Sequence, residues 1–128
     1  MINLVIDLPF PSSKLSGHAK GKWQSSSGVV ADTRMAAKRR TDEVLAEIAH
    51  AIPDDCDIAI TTEFYPPNNR GDRVNYPNRM KAVYDGIAEA MGVNDKRFLP
   101  VRNRFFKARK DAFVRVILEP YHELGEAA

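Results

Sequence analysis

Two side chains four residues apart, Lys81 and Asp85, open the chemical reading, because that spacing puts both on one face of a helix about 5 to 6 Å apart at Cβ. Two nearby polar stretches supply more oxygen and amide groups: Asp72 and Asn75 before that helix, and Asn94 and Asp95 after it. The bland reading of Lys81 and Asp85 is a surface ion pair of little energetic weight. The sharper one is an acidic pocket in which carboxylates hold a divalent cation and the lysine holds a phosphate. Phosphodiester cleavage suits such a set. Hard carboxylate oxygens bind Mg²⁺, the metal lowers the pKa of an attacking water, and an ammonium group steadies the charge that develops on the phosphate.

The elements that would position these groups are short and closely spaced. Residues 2–8 have the apolar content of a strand, and residues 12–29 read as a long basic loop punctuated by glycines and serines. Helical periodicity runs over 33–52, with Ala37, Thr41, Val44, Leu45, Ile48 and Ile52 on one side and Pro53 as the stop. Alternation over 57–65 predicts a strand that buries Ile58, Ile60, Thr62 and Phe64 on one face. A second helix follows with Asn75 as its cap, Pro77 in its first turn, a stripe of Met80, Val83, Tyr84, Ile87 and Met91, and Gly92 as its stop. Two last strands, LPVRNRFF and AFVRVILE, joined by the polar turn KARKD, suggest an antiparallel hairpin. The order is β-α-β-α-β-β, which predicts an α+β domain with a small mixed sheet and two packed helices. Residues 120–128, with Glu123 and Glu126, read as a flexible tail.

Composition bounds the rest. A chain of 128 residues fits one domain, 1–128, and its 44% apolar and 28% charged residues exclude disordered and collagen-like classes for the whole. The single cysteine, Cys56, cannot form an internal disulfide and belongs to no CxxC or Cys/His set. No apolar run is long enough to span a bilayer, and MINLVIDLPFP lacks a basic leader, with Asp7 breaking its apolar run. The expectation is therefore a cytoplasmic protein that uses no membrane and no small-molecule cofactor.

The net charge is only +2, but between Lys96 and Arg115 eight basic residues face Asp111 alone. Such a concentration predicts a polyanionic partner. Arg102, Arg104, Lys107, Arg109 and Lys110 are its candidate DNA contacts, joined by Lys14, His18, Lys20, Lys22 and Trp23 in the long loop and by Arg70 and Arg73 beside Asp72. An aromatic among cations can stack on a base while the cations meet phosphates. A tryptophan such as Trp23 is more often a plug over the core.

Three strings in order, LPFPSS at 8–13, YPPNNRGDRVN at 65–75 and MKAVYDGIAEAMGVND at 80–95, resemble the RusA family of four-way (Holliday) junction endonucleases, especially its phage and prophage members. In that family an Asp-x-Asp-Asn motif follows the second strand, a Lys and an Asp four residues later sit on the next helix, and an Asp-Asp pair ends the turn after it. Asp72 matches the first Asp, Asn75 the Asn, Lys81 and Asp85 the helix pair, and Asp95 the second Asp of the last pair. The resemblance implies a homodimer that binds branched DNA and, with Mg²⁺ or Mn²⁺ in its place, nicks two opposing strands. It implies that Asp72 and Asp95 are the main metal ligands, that Asp85 is a further ligand or the orienting partner of Lys81, and that Asn75 contacts DNA. Val74 stands where the motif has its second Asp, and Asn94 where the last pair has its first. Those departures motivate an alternative of the same fold, a branched-DNA-binding protein impaired in cleavage.

Overall fold

The computed structural model describes residues 3–15, 23–48, 55–71 and 73–122, with the backbone alone described over 23–27. The chain is an α+β domain in which two helices cover a four-stranded mixed sheet. Its strands are β1 (Leu4–Pro9), β2 (Asp57–Tyr65), β3 (Phe98–Phe105) and β4 (Phe113–Tyr121), and its helices are α1 (Trp23–Glu47) and α2 (Lys81–Met91). Short 3-10 turns fill the connections at Ser13–Leu15, Arg73–Asn75, Pro77–Arg79 and Asp95–Arg97.

Alternation builds the core. Leu4, Ile6 and Leu8 of β1, Ile58, Ile60 and Phe64 of β2, and Val114, Val116 and Leu118 of β4 point to one sheet face. There they meet Ala37 and Val44 of α1 and Met80, Val83 and Ile87 at the start and along the inner face of α2. These are the positions expected from period 2 in the strands and period 3.6 in the helices. Gly86 sets the distance between the helices, since a Cβ there would collide with the Arg34 carbonyl of α1.

Strand order is β1-β4-β2-β3, which overturns the hairpin expected of the last two strands. β3 runs parallel to β2, and β4 runs antiparallel to both β1 and β2. The link 106–112 passes across the end of β2, where Phe106 N–H donates to Phe64 O at 3.0 Å and Arg109 N–H to Pro66 O at 2.8 Å. The helix between β2 and β3 supplies the long crossover that a parallel pair requires. β2 thus lies between β3 and β4, and a short polar turn becomes a bridge across it.

Three further expectations change. The helix expected from residue 33 begins at Trp23, inside the presumed 12–29 loop, so the connection before it is shorter. Asn75 does not cap α2: it ends a 3-10 turn, and the N-cap is Met80, followed directly by Lys81. β4 continues to Tyr121, so residues 120 and 121 belong to the sheet rather than to a tail.

β2 is buried on both faces, including Ala59 and Thr61 opposite the helices. Among the described residues no third layer covers them. Arg102 lies beside Thr61 on β3 and Glu119 beside Ala59 on β4, and the two join across β2 at 3.7 Å. Long paired side chains closing over small residues account for that burial.

Candidate functional site

Local rules bring one basic and two acidic groups together. Met80, fully buried, anchors the start of α2 and leaves Lys81 on the opposite, solvent side. Gly92 ends the helix at φ 69°, with its N–H donating to Glu89 O and the Val93 N–H to Ala88 O. That paired pattern is a Schellman stop, which needs the left-handed backbone that glycine adopts without strain. The chain then turns back. Asn94 Oδ1 accepts from the Lys96 N–H at 2.9 Å and caps the 3-10 turn that starts at Asp95.

The result is a clamp on one nitrogen. Lys81 Nζ donates to Asp85 Oδ1 at 2.8 Å and to Asp95 Oδ2 at 2.9 Å. The Lys81 side chain is 74% exposed, so these pairs are screened by water and contribute little to folding. Their effect is on protonation. Hydrogen bonds to Asp85 and then Asp95 raise the Lys81 pKa, and Lys81 in turn lowers that of Asp95. Lys81 is therefore a fixed cation across the physiological range, suited to stabilising negative charge and not to removing a proton.

Beside the clamp lies a cleft of about 330 Å³ in which Asp85, Asp95 and Glu89 outnumber Arg34. Arg34 pairs with Glu89 across the two helices at 3.4 Å. Asp72, the other expected carboxylate, lies outside the described residues. Among the described residues no group of three or more His, Cys, Asp or Glu is placed to hold a metal. Two carboxylates converge on the lysine ammonium, each through one oxygen, Asp85 Oδ1 and Asp95 Oδ2.

The expected DNA contacts divide. His18, Lys20 and Lys22 lie outside the described residues, and Trp23 opens α1 with only its backbone described. Lys14, Arg70 and Arg73 are exposed, and Asn75 is half-buried in its 3-10 turn. Three arginines of the basic stretch pair with distant acids: Arg102 with Glu119, Arg104 with Glu63 at 4.0 Å, and Arg115 with Asp7 at 2.8 Å. Arg109 pairs with neighbouring Asp111 and lies over the rings of Tyr65 and Phe113. Lys107 and Lys110 stay exposed without an ion pair among the described residues.

Sequence reasoning missed a second cluster. Phe10, Tyr76 and Arg79 meet under the 66–71 segment, with Phe10 and Tyr76 edge to face at 5.1 Å. Tyr76 carried no signal because its partners are far off in the chain; its hydroxyl packs so closely on Gly71 that a Cβ there would collide with it.

No family model matches this sequence. A curated protein of Xylella fastidiosa (strain Temecula1 / ATCC 700964), described as an uncharacterized protein, is 34% identical over 99 residues. That match takes in 73% of this chain and 61% of the relative, so the chain spans less than two thirds of the relative's length. No helix among the described residues is long and apolar enough to cross a membrane.

Proposed function

We propose that the chain is a Mg²⁺-dependent, structure-selective endodeoxyribonuclease that resolves four-way DNA junctions as a cytoplasmic homodimer, in the manner of the RusA family it resembles. The observation that carries the reading is the clamp: Lys81 Nζ sits within 3 Å of carboxylates from α2 and from the turn after it, 4 and 14 residues away. A mere helix-surface pair would need Asp85 alone. Recruiting Asp95 takes a left-handed glycine and a capped turn, and returns little stability at so exposed a place.

Asp72, Asp85 and Asp95 would hold the metal, whose chemistry when bound is to neutralise phosphate charge and lower the pKa of the attacking water. Lys81, kept protonated by its neighbours, holds the phosphate oxygen on which charge develops. Asp85 keeps the ammonium aimed through its 2.8 Å hydrogen bond. Arg70, Arg73, Lys107 and Lys110 supply exposed positive charge for the DNA backbone. A two-fold dimer suits a substrate with two equivalent strands to cut.

One observation favours the second reading, a junction binder impaired in cleavage. Val74, where the resemblance calls for an aspartate, is 78% exposed and brings no ligand oxygen. The same exposure makes Val74→Asp structurally mild. The deciding experiment incubates end-labelled four-way junction with protein and Mg²⁺. Paired nicks that vanish in Asp72→Asn support the nuclease. Tight junction binding without nicks, and nicking gained by Val74→Asp, support the binder. The absence of both nicking and junction preference removes both readings.

A further inference from the structure

Under the 66–71 segment lies an open cleft of about 620 Å³ lined by Phe10, Pro67, Asn68, Arg70, Tyr76 and Arg79 among others. Its size is within the range of roughly 300 to 1,000 Å³ typical of small-ligand sites. Two arginines and no carboxylate line it among the described residues. This is the reverse of the acidic cleft beside Lys81.

Arg79 is held unusually firmly. Its guanidinium carbon lies 5.2 Å from the Tyr76 ring centre and 5.9 Å from that of Phe10, and Nη1 donates to the Pro11 carbonyl at 3.3 Å. Its Nε is shut off from water with no acceptor. That Nε, being buried, stays out of a ligand's reach; the part of the guanidinium lining the cleft carries further N–H groups beyond the one given to Pro11, and a planar cation of that kind engages an anion of phosphate geometry. Arg70 adds a second guanidinium, exposed at the mouth. Tyr76 is buried beneath the cleft at 3% exposure, and half-buried Phe10 with exposed Pro67 presents the apolar surface on which a nucleobase packs.

We propose that this cleft takes one unstacked nucleotide of a DNA strand, its phosphate on Arg79 and Arg70 and its base against Phe10 and Pro67. A duplex offers phosphates but keeps its base faces stacked, so the cleft selects unpaired nucleotides. The inference rests on the DNA-cleaving reading for its occasion, a strand opened at a branch point. Tyr76 and Arg79 precede Lys81 by five and two residues, so the segment that lines this cleft runs directly into the clamp.

The test needs no cleavage. In EDTA, binding of labelled oligothymidylate and of a blunt duplex of equal length is measured for the native chain, Arg79→Lys and Asn68→Asp, with melting curves to verify folding. Asn68 is exposed, and the oxygen that accepts the Arg70 N–H is retained in aspartate, so this variant folds even if Arg79→Lys does not. Each variant is expected to lose about tenfold on the single strand and no more than about twofold on the duplex. Ultraviolet cross-linking of bromodeoxyuridine oligonucleotides is expected to label Phe10. Unchanged single-strand affinity in the folded variants, equal losses on both probes, or cross-links confined to other segments overturn the proposal. If junction nicking fails but these differences appear, the nuclease reading falls and the nucleotide site stands. If nicking is present and the variants bind as the native chain does, the opposite holds.

Discussion

Two clefts of opposite charge flank a single short stretch of chain. Gly71, Tyr76 and Arg79 line the one with two arginines, and Lys81 pairs with Asp85 and Asp95, two of the carboxylates that line the other. The acidic cleft is built from one helix and the turn that follows it, so its geometry depends on caps and on the packing of α2 against α1. The arginine cleft is built from rings and prolines contributed by β1, the end of β2 and the 3-10 turns, so it depends on long-range contacts. On the proposed reading the difference is a division of labour: the acidic site with its fixed cation would serve chemistry at phosphorus, and the cationic site would hold a strand.

The largest effect should come from the clamp. Lys81→Ala is expected to slow junction nicking by about 10² to 10³ fold in single-turnover assays, with junction affinity nearly unchanged. Asn68→Asp should do the reverse, weakening affinity while sparing the rate at saturating protein. If both variants lower the same quantity, the division is wrong.

Packing should separate the clefts next. Gly86→Val places a side chain against the Arg34 carbonyl and should cost about 2 to 3 kcal/mol in urea unfolding. Because α2 then moves off α1, nicking should suffer more than single-strand binding. A smaller effect appears on the pH limbs of stability. The Asp95 pKa is lowered from 3.8 in the fold, so its contribution is present above that value and is lost as pH falls through the lowered one. Asp95→Asn should flatten the acid limb of the unfolding midpoint. The Lys81 pKa is raised from 10.5, so its contribution is present below that value and is lost only as pH rises through the raised one. Lys81→Ala should therefore flatten the alkaline limb and leave the neutral range alone. Smallest of all, Asp7→Asn breaks an exposed pair with Arg115 on the sheet face opposite the helices and should change stability by about 1 kcal/mol or less, with both DNA readouts unaltered.

The acidic cleft was legible because its logic is local. Lys81 and Asp85 are one helical turn apart, the Met80, Val83 and Ile87 stripe turns them outward, and Gly92 announces the reversal that returns Asp95. The arginine cleft was not, because Phe10 and Tyr76 meet only once the sheet forms. The ion pairs of the basic stretch were hidden for the same reason: Asp7, Glu63 and Glu119, which pair with three of its arginines, lie far from them in the chain. Strand pairing also resists local reading, since a five-residue polar link serves a hairpin or a crossing equally well and the available edge of β2 decides. The early start of α1 was hidden by Ser25, Ser26, Ser27 and Gly28, residue types that favour turns over helix interiors unless the surrounding fold overrides them.

Metal-directed backbone scission tests the central claim most directly. With Fe²⁺ in place of Mg²⁺, ascorbate and peroxide generate hydroxyl radicals at the bound ion, and mass spectrometry locates the cuts they make in the protein. Cuts grouped around Asp72, Asp85 and Asp95, suppressed by excess Mg²⁺ and lost in Asp85→Asn/Asp95→Asn, are the predicted result. Cuts scattered along the chain, or grouped there equally in the double variant, would contradict it.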